Sequence, residues 1–585
     1  MDTRTETLNC QGYYLRTMER RYFVKIVGEG TIAFSLLPMV SIPNVHQNNN
    51  VNQLIERLLK ANDIRVSSRL ASQILDVRNK WFGGSSNKFG IVNAASSCTL
   101  INDLTCAYIS PGSTFHKEKK LLIAIRRATE YLLNSQYDDG TVDLHTTNFH
   151  STPDTAFRVE PLALSYNLLK TIEPPQKEIL TNLERFLRNA GKALSVGGIH
   201  TPNHRWVVCM ALAHIHNLFP NQKYVQRIEQ WLNEGIDIDP DGQYTEKSTT
   251  VYSPLVDRCL ITIANLLDKP ALLDPVRKNL DMTLYYVRPN YEVSTETSGR
   301  QDKYKVGTIA KYHYPYRYMA IKDGNGRYAR IVNQIESSEL PQIVGNLIYF
   351  LHDPFLQSEL PITKNIETDY VRYFKHSKLV RIRRGDRDAT IIAGNPVVFS
   401  YFKGSAVLTG LRLASAFFGK GQFEGDEIEI KDNEYTLKRS LTGPYYQPLG
   451  EGEFHPEIDS FSKQRETREK SEVQLLDAMI RLIENQGKFQ IQIRLKGTDN
   501  VPVAVELGFR EGGVLEGVRP IEDIADAYLL ESGNGKYTHE EQTITFGPGI
   551  AEHQWTQLRG ALPKLEGKSV YLTGYTPFIL DLNIS

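Results

Sequence analysis

The stretch Lys177–Leu194, "KEILTNLERFLRNAGKAL", shows the pattern that decides the fold of the first half of the chain. Its apolar residues recur at three- and four-residue spacing, which places them on one face of a helix. The same periodicity runs from "LIERLLKAND" at residues 54–63 to "LPQIVGNLIYFLH" at residues 340–352, with short separators rich in Gly, Pro, Asn and Asp. No short repeat is visible, so a closed (α/α) toroid or an irregular array of helical hairpins is favoured over a regular solenoid, and we expect the toroid over residues 50–355.

The pattern changes after "DPFLQSELPITKN", which ends at residue 365. Segments that alternate apolar and polar residues follow, such as "KLVRIRRG", "FQIQIRLKG" and "SVYLTGYTPFIL", and many are bounded by Gly, Asn or Asp. They predict an antiparallel β-sandwich over residues 366–585. One segment, "SEVQLLDAMIRLIEN" at residues 471–485, is predicted as a helix that interrupts the strands. Helices first and strands second indicate two segregated regions, not α/β alternation.

Length and composition are those of a globular protein with two or three domains, since 585 residues exceed one ordinary core. The 68 basic and 68 acidic residues balance, so nothing indicates a dedicated nucleic-acid binder. The five cysteines form no CxxC pair, which argues against structural zinc and against a disulfide scaffold. The 30 tyrosines suit a sugar-binding cleft, although tyrosines also fill cores.

The N-terminal residues 1–46 are predicted to be a leader. From Met18 the sequence reads "MERRYFVKIVGEGTIAFSLLPMVSI", in which Arg20 and Arg21 begin a segment similar to a twin-arginine export signal. The alternative is an N-terminal strand of a cytosolic protein. The apolar run is too short and too interrupted by glycine for a good membrane span. We therefore expect export to the periplasm or the medium, without a membrane-spanning segment.

Four loops that precede predicted helices carry clusters of polar residues. They follow one another about one helical pair apart, and in a toroid such loops open onto the same end and surround one cleft. The first contains His145, Asn148, His150, Asp154, Arg158 and Glu160; the second contains His200, Asn203, His204, Arg205 and Trp206; the third contains Tyr244, Glu246, Lys247 and Tyr252; the fourth contains Glu296, Arg300, Gln301 and Lys303, and His313 follows it.

This layout resembles the (α/α)-toroid polysaccharide lyases, the heparinase II/III-like and alginate lyase-like group. "PNHRW" at residues 202–206 is similar to the group's Asn-His segment, and "DGQYTEKSTTVYSP" at residues 241–254 is similar to its Asp-Gly…Tyr segment. The latter also resembles a segment of chondroitin and hyaluronate lyases, where Lys247 stands at the position of the catalytic histidine. "TTNFHSTPDTAF" is similar to an Asn-aromatic loop of those enzymes. The group's usual β-domain segment, Gly-His-x-His-x-Asp, is missing.

The resemblance implies β-elimination on a polymer of uronic acids, in which the C5 proton leaves and the C4–O4 bond breaks. Asn or protonated His beside the uronate carboxylate stabilises the enolate-like intermediate. A base must reach C5 and an acid must serve the leaving oxygen. A tyrosine can do both when nearby positive charge favours its phenolate. We therefore predict Tyr252 as base and acid, with Asn203 and His204 as groups that neutralise the carboxylate.

The predicted substrate-binding residues surround these three. Arg300 is expected to hold a carboxylate or sulfate through its planar fork. The others are Arg205, Lys247, Asn148, His150, His145, Tyr244 and Trp206. Structural roles stay open for several of them, since Asn203 also suits a helix cap and Tyr244 also suits packing. Whether His376 or His455 of the second half enters the cleft is left open.

Two other functions compete with the lyase. A glycoside hydrolase on the same toroid would need two carboxyl groups that face the scissile bond, and the loops hold Asp139, Asp143, Asp154, Asp241, Glu246 and Glu296. A non-catalytic glycan-binding protein is the third class. No cofactor and no catalytic metal is predicted, because His200 and His204 flank Pro202 without an HExxH pattern. A structural divalent cation in the β-domain is left open. The expected partner is an acidic polysaccharide.

Overall fold

The computed structural model of this protein describes residues 51–450 and 460–585. The predicted export signal and His455 lie outside these ranges, so both stay predictions. The first part is helical, as predicted. Its helices are α1 (Val51–Ala71), α2 (Ala94–Ile109), α3 (Lys119–Ser135), α4 (Thr152–Leu169), α5 (Lys177–Val196), α6 (Pro202–Leu218), α7 (Gln222–Leu232), α8 (Tyr252–Leu266), α9 (Leu273–Leu284), α10 (His313–Asp323), α11 (Gly326–Ser338), α12 (Leu340–Ile343) and α13 (Leu347–His352).

The helices form an inner and an outer layer. Inner α4 packs on α6 and α6 on α8, while outer α3 packs on α5 and α5 on α7. α6 is buried along most of its length, whereas α5 buries a single stripe that includes Leu183 and Leu187. α1 contacts α12 and α13, so the two ends of the helical region meet. Because inner helices begin where outer helices end, the loops before α4, α6 and α8 share one face.

The segments predicted as helices from their apolar periodicity did not include α2 or α10. α2 is an inner helix whose buried side chains include Ser97, Asp103 and Thr105 among apolar residues. α10 buries His313 and Arg317, which bond the Glu336 carboxylate at 2.9 Å each. A helix surrounded by protein needs no polar face, so its apolar residues show no clear period.

The second part is the predicted antiparallel β-sandwich. In the described ranges its strands are β3 (Asp369–Phe374), β4 (Leu379–Arg384), β5 (Arg387–Ile392), β6 (Phe399–Lys403), β7 (Ala406–Ser415), β8 (Glu429–Lys431), β9 (Glu434–Tyr446), β10 (Lys470–Asn485), β11 (Lys488–Gly497), β12 (Pro502–Phe509), β13 (Val514–Glu516), β14 (Arg519–Pro520), β15 (Ala527–Leu529), β16 (Gly535–His539), β17 (Gln542–Gly547), β18 (Lys568–Tyr575) and β19 (Phe578–Ile584), and a small hairpin of β1 (Val142–Leu144) and β2 (Asn148–Ser151) precedes α4. A helical turn, Ser460–Lys463, lies between β9 and β10.

The strands build two sheets whose apolar faces share one core. One sheet has the order β13-β16-β17-β19-β11-β10-β9-β8, and the other has the order β14-β15-β18-β12-β7-β6-β5-β4-β3. Residues of both sheets, such as Leu411 and Ile491, are fully buried in this core. All strand pairs within these sheets are antiparallel except β15 with β18.

The helix predicted at residues 471–485 is wrong, because this segment is the long strand β10. β10 pairs with β9 on one side and β11 on the other. Leu476, Ile480 and Leu482 are buried on one face. Leu476 and Ile480 are four residues apart, a spacing that fits a helix and a strand equally well, and pairing with two neighbours decides for the strand.

Ion pairs and hydrogen bonds join the two regions. Arg288 of the helical region lies 3.1 Å from Asp388 of β5, and Arg510 lies 2.7 Å from Glu292. Ser400 of β6 donates to the Glu296 carboxylate at 2.7 Å. The fourth polar loop therefore lies at the junction with the β-sandwich. No helix in residues 51–450 or 460–585 combines the length and the apolar character that crossing a bilayer requires.

Candidate active site

The site forms where helices begin. Asn203 is the second residue of α6, after Pro202, and Tyr252 is the first residue of α8. The first helical turn leaves backbone N–H groups without intrahelical partners, so polar side chains collect there. Ser151 caps α4 by accepting from the Asp154 N–H at 3.2 Å. These three helix starts bring the first, second and third polar loops to one face of the helical region.

Asn203 and Glu246 are the buried pair at the base of the site. The Asn203 Nδ2 donates to Glu246 Oε1 at 2.8 Å and to Oε2 at 2.9 Å. An ionised carboxylate only accepts hydrogen bonds, so it must face the amide nitrogen. The Asn203 Oδ1 is consequently turned away, buried and without a hydrogen-bond partner. Glu246 thus fixes the orientation of a side chain that is 43 residues distant in the sequence.

Tyr252 lies at the more open side of the same cluster. Its hydroxyl accepts a hydrogen bond from Gln301 Nε2 at 3.0 Å, and the Arg300 guanidinium lies 5.2 Å from its ring centroid. The Arg300 Nε is 4.0 Å from Glu246 Oε2 and has no hydrogen-bond partner. The fourth loop therefore supplies an amide and a guanidinium to the tyrosine of the third loop.

Asp302 connects these two loops, and no sequence motif pointed to this role. Its buried carboxylate accepts from the Ser248 Oγ at 3.0 Å, the Thr250 N–H at 3.1 Å, the Thr250 Oγ1 at 2.9 Å and the Ser298 Oγ. The Ser248 Oγ in turn accepts from the Tyr252 N–H at 3.2 Å. Tyr252 is thus positioned by a chain of hydrogen bonds that begins in the fourth loop.

His204 is a buried imidazole between three charged or titratable neighbours. Its pKa is lowered to about 4, chiefly by burial; repulsion from His200 and Arg300 acts in the same direction, and the attraction of Asp154 opposes them. The His204 Nδ1 is buried without a hydrogen-bond partner, and the His200 ring lies 4.6 Å away. This pKa shift disfavours the protonated imidazole at neutral pH, and the role of His204 beside a substrate carboxylate stays a prediction. A neutral imidazole donates one hydrogen bond and accepts another.

The first loop contributes Asp154 and Asn148, while its two histidines are engaged elsewhere. Asn148 Nδ2 donates to Asp154 Oδ2 at 2.9 Å, which places both near His204. The His145 Nδ1 lies 3.0 Å from the Val92 carbonyl oxygen. The exposed His150 bonds Asp139 at 2.8 Å and stacks on a tyrosine ring. The structure shows no contact of either histidine with Asn203, Tyr252 or Arg300.

Three other predicted substrate-binding residues have structural partners. Trp206 is fully buried and donates to Asp237 at 2.9 Å, and Tyr244 is buried and donates to Asp257 at 2.8 Å. Arg205 pairs with the same Asp237 at 2.8 Å. These placements do not support substrate contact by Trp206, Tyr244 or Arg205. Lys247 is half-buried in the third loop, with a left-handed backbone φ of 52°.

The carboxylates named for a hydrolase are mostly bound to protein. Glu296 is buried against Arg288, Ser294 and Ser400, and although burial opposes it, Arg288 and the hydroxyl donors lower its pKa to about 2. Asp241 accepts from the backbone N–H groups of His376 and Ser377 at 2.7 and 2.9 Å. His376 therefore meets the third loop through its backbone.

No cluster of three or more His, Cys, Asp or Glu side chains suited to a metal ion occurs in the part of the chain that the structure describes. The predicted absence of a catalytic metal stays a prediction.

Comparison with known proteins adds structural relatives only. No protein-family model and no curated protein matches the sequence. A xanthan lyase from Paenibacillus is similar, with a TM-score of 0.57, 9% identity, and coverage of 92% of this chain and 57% of that chain. For a chondroitin AC lyase from Streptomyces coelicolor A3, in complex with chondroitin sulphate, these values are 0.53, 13%, 94% and 80%. For a heparinase III gene product they are 0.50, 10%, 90% and 81%.

At identities of 9–13% these similarities establish the fold and leave the activity to be argued from the site. All three solved structures are named as lyases of polysaccharides or as a heparinase. This protein therefore has the fold of the (α/α)-toroid polysaccharide lyases, a helical toroid followed by an antiparallel β-sandwich.

Proposed function

We propose that this protein is a polysaccharide lyase that cleaves a uronate-containing polymer by β-elimination, with Tyr252 as base and acid. One observation carries the proposal: the Tyr252 hydroxyl bonds Gln301 at 3.0 Å beside the Arg300 guanidinium, at the open side of a cluster with Asn203 and His204. The proposed base is the phenolate form of Tyr252, and the amide N–H on the oxygen and the guanidinium beside the ring would face its negative charge. A phenolate is suited to remove a weakly acidic carbon-bound proton.

Three polar atoms of the cluster support a role in ligand binding. Asn203 Oδ1, His204 Nδ1 and Arg300 Nε are all buried without a hydrogen-bond partner. Buried polar atoms without partners are rare in native proteins, and at a cleft they indicate contacts that a ligand supplies. A sugar with a carboxylate and several hydroxyl groups offers both donors and acceptors.

Arg300 is the residue best suited to neutralise the substrate carboxylate. Its charge is permanent, whereas burial lowers the pKa of His204 to about 4 and disfavours a protonated imidazole at neutral pH. A carboxylate placed beside His204 would favour the protonated imidazole, so substrate binding is expected to be coupled to proton uptake. Asn203 presents its carbonyl oxygen and can accept from a sugar hydroxyl. The Asn203 amide nitrogen can donate to a substrate carboxylate only if its hydrogen bonds to Glu246 break.

The proposed reaction balances without a cofactor. The Tyr252 phenolate oxygen removes the C5 proton, and the resulting electron pair forms the C4=C5 double bond as the C4–O4 bond breaks. The proton on Tyr252 then passes to O4 of the leaving sugar, which restores the phenolate. Arg300 and His204 stabilise the charge that develops on the carboxylate during proton removal.

The hydrolase alternative has less support from the geometry. Of the six carboxylates considered, Glu246 and Asp154 lie nearest the cluster, and both are bonded to protein. Asp154 accepts from Ser151 at 2.6 Å and from Asn148 at 2.9 Å. A retaining or inverting hydrolase needs one free acid and one free base or nucleophile.

The test incubates the purified protein with a panel of acidic polysaccharides. Two products are measured: the ultraviolet absorbance of the conjugated C4=C5 double bond, and new reducing ends. The lyase produces both together, while a hydrolase produces reducing ends without the absorbance. Binding to a polymer without either product would favour the non-catalytic glycan-binding protein.

A further inference from the structure

Lys303 is a half-buried lysine in the fourth loop that pairs with no carboxylate among the described residues. Its ammonium lies 5.2 Å from the ring centroid of Tyr304. Burial lowers the pKa of Lys303, and the attraction of Glu424 opposes this effect only in part. Partly burying a cation that forms no close ion pair costs free energy, and an anionic group of a ligand would offset that cost.

The position of Lys303 is fixed from both sides. Asp302 before it is anchored to the third loop, as described above. Tyr304 after it donates through its hydroxyl to the Asn395 Oδ1 of the β-sandwich. Asn395 also donates to the Glu296 carbonyl oxygen at 2.8 Å. The backbone of Lys303 is therefore anchored at the boundary between the toroid and the β-sandwich, three residues after Arg300, and the attraction of Glu424 places the side chain on the β-sandwich side.

We propose that Lys303 forms an anion-binding subsite for a carboxylate or sulfate group on a sugar adjacent to the uronate that is cut. This inference rests on the lyase function proposed above. Arg300, on the same loop and beside Tyr252, would hold the carboxylate of the cut sugar. Lys303 lies further along the loop, towards the β-sandwich. The enzyme would then prefer polymers with an acidic group on successive sugars over polymers that alternate uronate with an uncharged sugar.

The experiment measures binding in a Tyr252→Phe background, so that the ligand stays intact. Three oligosaccharides of equal length are titrated calorimetrically. The first is a polyuronate, the second alternates uronate with an uncharged sugar, and the third is the second with sulfate on the otherwise uncharged sugar. Lys303→Met should weaken binding of the polyuronate, the sulfated oligosaccharide, or both by about tenfold. The affinity for the oligosaccharide that alternates uronate with an uncharged sugar should not change. Which charged ligand loses affinity distinguishes carboxylate from sulfate.

Two further variants control for structure. Lys305→Met removes an exposed cation from the same loop and should change none of the three affinities. Lys303→Arg retains the charge and should restore most of the affinity that Lys303→Met loses. Equal weakening of all three ligands by Lys303→Met, or of none, would overturn the subsite. Failure of all three ligands to bind would overturn it as well.

The two proposals fail in different ways. If the wild-type protein forms the unsaturated product and Lys303→Met binds every ligand as the parent does, the subsite is wrong and the lyase stands. If no polymer gives the unsaturated product but Lys303→Met still discriminates between the ligands, the lyase is wrong and the subsite is supported.

Discussion

Replacing Asp302 by alanine tests whether the fourth loop positions Tyr252. The Asp302 carboxylate receives four hydrogen bonds from Ser248, Thr250 and Ser298, all of which are buried. Alanine removes every acceptor at once. The backbone bond from Gly299 to the Glu246 carbonyl oxygen, 3.2 Å long, would remain, so the loops should loosen without separating.

The expected loss of stability follows from these partners. A hydrogen bond to a charged group contributes about 1.5–3 kcal/mol, and three of the four donors are hydroxyls that can turn to other acceptors. The Thr250 N–H cannot turn, so we expect a net loss of about 3 kcal/mol. A displacement of Tyr252 by about 1 Å would reduce turnover by about 100-fold.

Two assays follow this prediction. Hydrogen exchange at the Thr250 amide should accelerate in Asp302→Ala, and formation of the unsaturated product should fall. Asp302→Asn keeps one accepting oxygen and should have a smaller effect on both, while the exposed Asp499→Asn should have none. Unchanged exchange at Thr250 together with wild-type turnover in Asp302→Ala would refute the positioning role.

Three further predictions address the pair at the base of the site, the buried imidazole and the domain junction. Glu246→Gln places an amide nitrogen against the Asn203 amide, and we expect stability to fall by about 1–2 kcal/mol in thermal unfolding and turnover to fall with it; full retention of both would contradict the pairing. The pKa of His204 is lowered to about 4 from an ordinary value of 6.5. The unfolded chain therefore binds more protons between these values, and stability should fall by up to about 3 kcal/mol as the pH drops from 6.5 to 4. Urea unfolding at several pH values should show this loss in the wild type and a smaller one in His204→Gln; identical profiles would count against it. Asn395→Ala removes the acceptor of the Tyr304 hydroxyl and should speed limited proteolysis in the fourth loop, and an unchanged cleavage rate would argue against that anchor.

The outer helices were predictable because each buries only one stripe. In α5 the residues Leu183, Phe186, Leu187 and Ala190 recur at helical spacing and are all buried. α2 and α10 were missed because their buried faces include polar residues, such as Asp103 and His313, whose partners Arg69 and Glu336 lie on other helices. Apolar residues recur at helical spacing where one face of a helix contacts protein and the other contacts water. The spacing is less clear in a helix that protein surrounds.

Four residues predicted from loop spacing and family resemblance, Asn203, His204, Tyr252 and Arg300, lie close together in the structure. Their membership of an active site and their roles stay predictions. Trp206 stands in the same sequence segment but points into the core. Successive helical residues face different directions, so proximity in sequence does not imply a shared surface.

The remaining features depend on tertiary contacts that a single sequence does not encode locally. Glu246 was considered only as a hydrolase carboxylate, and its bonds to Asn203 arise because α6 and α8 begin side by side. Asp302 followed no motif. The charge of His204 depended on burial, which sequence spacing cannot supply.

The most direct test of the central claim compares the wild-type protein with Tyr252→Phe on a uronate polymer that the protein cleaves. Tyr285→Phe, a change at a tyrosine of the domain junction, serves as control. We expect Tyr252→Phe to bind the polymer about as tightly as the wild type but to form no conjugated double bond, while the control forms it normally. Formation of the unsaturated product by Tyr252→Phe at the wild-type rate would show that Tyr252 is not the base.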